Sequence, residues 1–313
     1  MGSVEHNWGG SRPALACLLE GWSRYAAPVS DSLLPPIDAV RAAWAARVHD
    51  DREQVERARE VEDPADFYAP VAERFKLDPR RGEDPTLEML LRDAHAEETW
   101  LDVGAGAGRY ALPLALRVEH VVAVEPSPRM VQLLREGMRE HRVGNVEVIE
   151  SEWPMADPPA AEVALVAHIG YDIADIDPFL GQLEHAASRL CVAVMGESAM
   201  TTVASLFWEQ VHGEHRVRLP ALPELLVLLL ARGRLPEVKL VDRPPPVFAS
   251  VDEALTMARR QLWLREGSRK DDRLRALLPD HLHEVAGGYS FDRQRTKIGI
   301  VGWQPRSGHL RLT

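Results

Sequence analysis

The middle of the chain alternates short apolar runs with longer amphipathic stretches. From residue 99 onward, apolar runs of strand length are each followed by a segment whose apolar positions recur at helical spacing. Short strands that alternate with helices are typical of βαβ units, in which the strands pair in parallel. The pattern predicts five strands in this part of the chain, at 99–103, 121–124, 146–149, 163–167 and 190–195.

Helical spacing dominates on both sides of this alternating segment. Prolines and short polar loops interrupt the helical pattern before residue 95. After residue 200, one more apolar strand lies between the later helices, at 238–241, and another follows them, at 297–303. The predicted helices lie at 37–60, 67–75, 87–91, 109–116, 127–140, 178–188, 202–212, 222–232, 251–266 and 271–285.

Together these elements predict an α/β fold with a doubly wound, mostly parallel, seven-stranded sheet. We divide the chain into a helical N-terminal extension at 1–95, a core at 96–200, and a third segment at 201–313. The third segment holds a helical insertion and the closing strands of the core sheet. We expect the extension and the insertion to cover the carboxyl edge of the sheet, where open α/β sheets bind their ligands.

Composition and charge narrow the class of protein. The chain has 313 residues and a formal net charge of −11, which argues against a nucleic-acid partner because such proteins usually carry a basic face. The longest unbroken apolar run, at 225–231, is far below the ~20 residues that a membrane helix needs. The first residues lack a basic region followed by an apolar core, so we expect no signal peptide and a cytoplasmic protein.

A glycine-rich turn follows the first predicted strand and carries the clearest chemistry. Its sequence runs Asp102-Val-Gly-Ala-Gly-Ala-Gly108, and Glu125 lies 23 residues after Asp102, at the end of the next strand. Glycines allow a sharp turn and close approach of a ligand, and a carboxylate at the second strand end can accept hydrogen bonds from ribose hydroxyls. The turn therefore predicts a nucleotide-type ligand.

The glycine spacing distinguishes between two nucleotide-type ligands, a dinucleotide such as NAD and S-adenosylmethionine. Dinucleotide sites show Gly-x-Gly-x-x-Gly, whereas this turn has Gly-x-Gly-x-Gly with Asp102 two residues before the first glycine. A carboxylate at that position would repel a pyrophosphate but suits a cation, such as the methionyl part of S-adenosylmethionine (SAM). The pattern disfavours NAD and favours SAM.

The segments 101–108 and 121–130 resemble motifs I and II of the class I SAM-dependent methyltransferases. The resemblance covers roughly residues 65–200 and is specific for the cofactor, not for the substrate. It implies that the last strand runs antiparallel to the others. It also implies that Gly104 and Gly106 contact the methionyl part, that Glu125 binds the ribose, and that Met130 lies near the adenosine.

Two further parts of the resemblance are looser. After its third strand the family often has Gly-Asp followed by an apolar residue, where this chain has Ser151-Glu152-Trp153. Glu152 would then accept the adenine amino proton, and Tyr68 and Arg74 would lie on a helix that covers the cofactor. The predicted cofactor-binding residues are Tyr68, Arg74, Asp102, Gly104, Ala105, Gly106, Glu125, Pro126, Met130, Glu152, Trp153 and His168.

Two candidate catalytic residues, His168 and Tyr171, follow the fourth predicted strand at the ligand-binding edge. His168 could act as a general base for an acceptor that must lose a proton. Alternatively, its backbone could line the amino group of SAM while its ring only packs. Tyr171 could orient the acceptor or pack on the cofactor.

The resemblance implies SAM-dependent transfer of a methyl group, and the acidic charge favours a small-molecule acceptor. Two alternatives stay open, a non-catalytic SAM-binding regulatory module and, with less support, an NAD-dependent dehydrogenase. No metal is expected, because Gly213 breaks helical spacing between His212 and His215. Aromatic side chains in the flanking helices predict a lid over the site, with the helices' own core or a homodimer interface as alternatives.

Overall fold

One seven-stranded sheet forms the centre of the protein in a computed structural model that describes residues 33–82, 84–199, 204–291 and 296–305. The strands are β1 (Thr99–Val103), β2 (His120–Val124), β3 (Val146–Ile149), β4 (Ala161–Ala167), β5 (Ala187–Gly196), β6 (Glu237–Arg243), β7 (His283–Val285), β8 (Gly288–Ser290) and β9 (Thr296–Trp303). The helices are α1 (Ile37–Ala58), α2 (Pro85–Arg92), α3 (Ala111–Ala115), α4 (Pro128–His141), α5 (Ile176–Ala186), α6 (Trp208–His212), α7 (Leu222–Ala231), α8 (Val251–Gln261) and α9 (Arg269–His281), with 3₁₀ helices at Ala69–Phe75 and Ser205–Phe207.

The sheet has the order β3–β2–β1–β4–β5–β9–β6. Strands β1 to β5 pair in parallel, and β9 pairs antiparallel with both β5 and β6. This confirms the predicted seven-stranded, mostly parallel α/β sheet with an antiparallel last strand. The strand order reverses between β1 and β4, and a crevice opens at the carboxyl ends of strands at such a point.

Both faces of the sheet are covered, which explains why the core strands are apolar along their whole length. On one face, Leu101 and Val122 pack in a cluster with α1 and α5, to which Trp44 and Phe179 belong. On the other face, Trp100 packs with α2, α3 and α4. The described residues from Pro36 onward form one compact unit.

A separate apolar cluster joins the end of α1 to the helices between β5 and β9. Val55 and Ala58 from α1 pack with Phe207, Trp208 and Phe248 of the later segment. The helical insertion is therefore built around a small core of its own, to which the N-terminal extension contributes. Among the described residues, no helix is both long and apolar enough to cross a membrane.

Several predicted element boundaries were wrong. The helix predicted at 271–285 ends at His281, and residues 283–285 instead form β7, which pairs with β8. Ala286 and Gly287 form the turn between these strands, and Gly287 and the first residue of β8, Gly288, have positive φ, a signal for a hairpin that the helical pattern concealed. The helix predicted at 67–75 is a 3₁₀ helix, and the one predicted at 202–212 starts with a 3₁₀ turn at Ser205; residues 202 and 203 lie outside the described residues.

The glycine turn after β1 has a left-handed backbone at Gly104, Gly106 and Gly108. Gly108 has φ +88°, and a Cβ there would lie 2.6 Å from Cδ1 of Leu134 and 2.8 Å from Cγ of Leu112. Gly108 thus combines a backbone that favours glycine with close packing of the turn against α4.

The change Gly108→Ala should lower the free energy of unfolding by roughly 2–4 kcal/mol, from left-handed strain and overpacking together. Gly213→Ala is the matched control, because Gly213 has φ +85° but a Cβ added there would meet no described atom within 4 Å. We expect the control to lose only about 1–2 kcal/mol in urea denaturation. Equal losses for the two variants would contradict the packing role of Gly108.

Candidate functional site

A cavity of about 290 Å³ lies at the carboxyl ends of β1, β2 and β4, beside the point where the strand order reverses. Its walls are mainly apolar, with a few polar groups at defined positions, as in small-molecule sites generally. Ten of the predicted site residues line it: Tyr68, Asp102, Gly104, Ala105, Gly106, Glu125, Pro126, Met130, Trp153 and His168.

Asp102 is a buried carboxylate without a hydrogen-bond partner. Its position inside β1 leaves it 1% exposed, and among the described residues neither carboxylate oxygen has a partner. Burial raises the pKa of Asp102 to about 7, and the charge of Glu125 adds to the rise. A weak interaction with the backbone N–H of Ala111, which falls short of hydrogen-bond geometry, opposes it. An unpaired buried carboxylate is costly, so this wall of the cavity suits a cationic ligand.

Glu125 lies at the end of β2 with its carboxylate held by the backbone. Its two oxygens accept hydrogen bonds from the N–H of Gly106, at 2.8 Å, and the N–H of Ser127, at 2.9 Å. Burial raises its pKa, while these two hydrogen bonds oppose the rise. The side chain is therefore fixed at the cavity wall, and each oxygen retains capacity to accept from a ligand hydroxyl.

Asp66 connects the N-terminal extension to the start of α4. The Ser127 hydroxyl donates to its two oxygens at 2.9 and 2.8 Å, and the backbone N–H groups of Arg129 and Tyr68 donate to it at 3.2 and 3.1 Å. Burial opposes the effect, but these hydrogen bonds hold the pKa of Asp66 below its usual value. This contact holds the loop that carries Tyr68 beside Glu125.

His168 and Tyr110 form a hydrogen-bonded pair in the wall of the cavity. The Tyr110 hydroxyl lies 3.1 Å from Nε2 of His168, and His168 has a left-handed backbone with φ +60°. Burial, together with the charges of Arg109 and Arg243, lowers the pKa of His168 to about 3. Burial raises the pKa of Tyr110 to about 12, so both rings are neutral at ordinary pH.

Three predicted site residues, Tyr171, Arg74 and Glu152, do not line the cavity. Tyr171 is buried, and its hydroxyl oxygen accepts a hydrogen bond from the N–H of Gly196 at 2.8 Å. Arg74 pairs with Glu253 at 3.0 Å. Glu152 is exposed, whereas its neighbours Ser151 and Trp153 reach the wall.

Sequence reasoning missed several residues of the cavity wall. Arg109 and Tyr110 directly follow the glycine turn, and their position next to the motif is a signal that could have identified them. Ile169, Ile173 and Phe179 supply apolar wall from the segment after β4 and from α5. Their side chains have no distinguishing sequence pattern, since apolar residues at these places are typical of any core.

The extension and the insertion contact each other beside the cavity mouth. The Arg260 guanidinium of α8 stacks over the Phe67 ring at 4.6 Å, and the Trp263 indole N–H donates to Asp63 at 3.0 Å. Tyr68 and Phe75, which line the cavity, remain 39% and 36% exposed. The two segments thus meet through stacking and hydrogen bonds, and two partly exposed aromatic rings remain at the cavity.

Comparison with known proteins gives matches in the same region. A family profile described as "Methyltransferase domain" matches residues 101–189. The probable ribosomal RNA small subunit methyltransferase A of Methanosphaera stadtmanae is 29% identical over 106 residues, which is 32% of this chain and 39% of that protein. The cobalt-precorrin-6B C(15)-methyltransferase (decarboxylating) of Salmonella typhimurium is 26% identical over 123 residues, which is 38% of this chain and 64% of that protein.

These curated relatives are matched over less than two thirds of their own length. Among solved structures, the YcgJ protein from Bacillus subtilis superimposes with a TM-score of 0.52 at 16% identity, covering 71% of this chain and 99% of that one. At this low sequence identity, the match shows that the two proteins share a fold. The part of this chain at residues 101–189 is therefore similar to a methyltransferase domain, and both curated relatives matched in this region are methyltransferases.

Proposed function

We propose that this chain transfers the methyl group of SAM to a small-molecule acceptor. The observation that carries the proposal is the buried, unpartnered carboxylate of Asp102 in the wall of the cavity. SAM carries positive charge on its sulfonium and on its amino group, and a dry carboxylate attracts such charge far more strongly than it would in water. The site residues fit this cofactor at both of its ends.

Other residues of the cavity wall would hold the rest of the cofactor. Glu125, held by Gly106 and Ser127, would accept hydrogen bonds from the ribose hydroxyls. Met130 and Trp153 would supply apolar wall for the adenine. Ala105 and Pro126 also line this cavity.

Bound SAM would supply an electrophilic methyl carbon on a positively charged sulfur. The chain's contribution is then mainly alignment of the acceptor with that carbon and exclusion of water. His168 is neutral, and with a pKa of about 3 it is a weak proton acceptor in the free protein. We therefore assign His168 first to orienting the acceptor, and Tyr171, through Gly196, to positioning the end of β5.

A small acceptor is favoured over RNA by charge, although the relatives include ribosomal RNA methyltransferases. The chain carries 37 Lys and Arg against 48 Asp and Glu, whereas an RNA enzyme needs cations to neutralise phosphates. The similarity to those relatives is limited to about a third of this chain, so it bears on the donor more than on the acceptor. A cytoplasmic location and a homodimer stay predictions from the sequence.

We also propose that the N-terminal extension and the insertion act together as a lid. Asp66 fixes the extension to α4, and the contacts of Phe67 and Asp63 with Arg260 and Trp263 join it to the insertion. The partly exposed rings of Tyr68 and Phe75 would become buried against bound ligand. Closure of this kind would exclude water from the methyl transfer.

Isothermal titration calorimetry with SAM, S-adenosylhomocysteine and NAD tests the donor assignment. We expect binding of the first two and none of NAD. Asp102→Asn should weaken SAM binding by about 10- to 100-fold, the value of a buried hydrogen bond to a charged group. Asp157→Asn is the matched control, because Asp157 is an exposed acid outside the cavity.

Tight NAD binding without SAM binding would contradict the proposal and favour the dehydrogenase. SAM binding without turnover across a broad acceptor library would favour the non-catalytic module. Untargeted metabolite profiling after deletion of the gene is the direct route to the acceptor. The unmethylated acceptor should accumulate, and it differs from its methylated product by one CH₂ unit.

The lid is tested by Asp66→Ala and Tyr68→Ala, each compared with Glu62→Gln, which changes an exposed acid in the same segment. Each alanine variant should weaken SAM binding about five- to tenfold, since it removes either the fixation of the lid or its aromatic contact. Point variants are preferable to deletion of residues 1–60, because α1 contributes Trp44 and Val48 to the core. Unchanged affinity in both alanine variants would show that the extension is not a lid.

A further inference from the structure

The end of the cavity near His168 holds cationic and donor groups that the methyl donor does not use. Arg109 lines the cavity, and its Nε is buried without a hydrogen-bond partner among the described residues. Its ion-pair partner, Asp84, is 3.7 Å away. Asp84 is already held by the Arg81 guanidinium at 3.0 and 3.1 Å and by the N–H of Leu87 at 3.1 Å. The Arg109 guanidinium is therefore only partly compensated.

His168 presents a second unpaired donor at this end. Tyr110 keeps its proton at ordinary pH, since burial raises its pKa to about 12, so its hydroxyl can donate to Nε2 of His168. The ring proton of the neutral imidazole is then on Nδ1. Nδ1 is buried and has no partner in the described part of the chain. A buried N–H without an acceptor is costly, so an acceptor is expected from a ligand.

A second guanidinium adds to the positive charge. Arg243 is the last residue of β6, and the charges of Arg109 and Arg243 both act on His168. Burial and the charge of Arg109 together lower the pKa of Arg243.

We propose that this end of the cavity, with Arg109 and Nδ1 of His168 as donors, binds an oxyanion of the methyl acceptor. The proposal rests on the function proposed above and names the acceptor class: a small molecule that carries a carboxylate or phosphate group. Guanidinium is well suited to either anion through paired N–H donors. The apolar walls from Ile169, Ile173 and Phe179 fit a hydrophobic body attached to that group.

The alternative ligand for Arg109 and His168 is the carboxylate of SAM itself, and not an anionic group of the acceptor. That group is bonded to the same carbon as the amino group, which we place beside Asp102. The Arg109 guanidinium lies over the Tyr110 ring, 5.4 Å from its centroid, and the Tyr110 hydroxyl is hydrogen-bonded to His168. We therefore assign Arg109 to the acceptor, and the effect of Arg109→Gln on S-adenosylhomocysteine binding tests the alternative.

The test uses the full chain saturated with S-adenosylhomocysteine and titrated with three probes of similar shape: benzoate, phenyl phosphate and neutral benzamide. We expect at least one of the two anions to bind tenfold or more tightly than benzamide. Arg109→Gln should remove at least tenfold of that affinity and leave S-adenosylhomocysteine binding within threefold. Arg80→Gln, which changes an exposed arginine of the preceding loop, should alter neither.

His168→Asn provides a second variant if Arg109→Gln fails to fold, since asparagine tolerates the left-handed backbone at this position. This variant should also weaken binding of the anionic probe. The affinities for benzoate and phenyl phosphate, compared with each other, show whether the site prefers a carboxylate or a phosphate.

Three results would overturn the inference. The first is equal affinity for benzamide and both anions. The second is weaker binding of S-adenosylhomocysteine to Arg109→Gln while binding of the anion is unaffected, and the third is binding of a short RNA but of neither anion. The second result would assign Arg109 to the carboxylate of the donor. Absence of S-adenosylhomocysteine binding in the unmodified chain would instead overturn the proposed function, and this inference with it.

Discussion

The structure depends on one unfavourable feature, the carboxylate of Asp102 buried in the central strand β1 without a partner among the described residues. Its pKa of about 7 lies above the ordinary value of 3.8, so the ionised form is penalised by folding. The penalty grows as pH rises from the ordinary pKa and is complete above about 7. A fold retains such a group at the cost of stability where a ligand supplies the missing charge.

The elements around Asp102 are arranged so that this charge remains dry and faces a cavity. The glycine turn gives a ligand close access, and Gly106 also fixes Glu125 at the neighbouring strand end. Asp66 then ties the extension to α4 through Ser127, and the extension in turn contacts the insertion. The two additions to the core sheet are thereby connected to residues of the cavity wall through a few hydrogen bonds.

The sequence predicted the parts of the site that depend on local pattern. Asp102, Gly104 and Glu125 follow directly from strand ends and glycine spacing, and the core strands follow from apolar runs. The pair Tyr110–His168, by contrast, joins residues 58 apart in the sequence, and Asp66–Ser127 joins residues 61 apart. Such contacts depend on how elements pack, and no single segment of the chain encodes them.

The central claim, that a cation of SAM compensates Asp102, is tested most directly by the protons released on binding. At pH 6.5 the free protein should hold a proton on Asp102 in most molecules, and bound SAM should release roughly half a proton or more. Calorimetric titrations in two buffers of different ionisation enthalpy measure this number. The account predicts release in the unmodified protein, little release at pH 8.5, and none for Asp102→Asn at either pH. Equal binding enthalpies in the two buffers at pH 6.5, or unchanged release in Asp102→Asn, would contradict it.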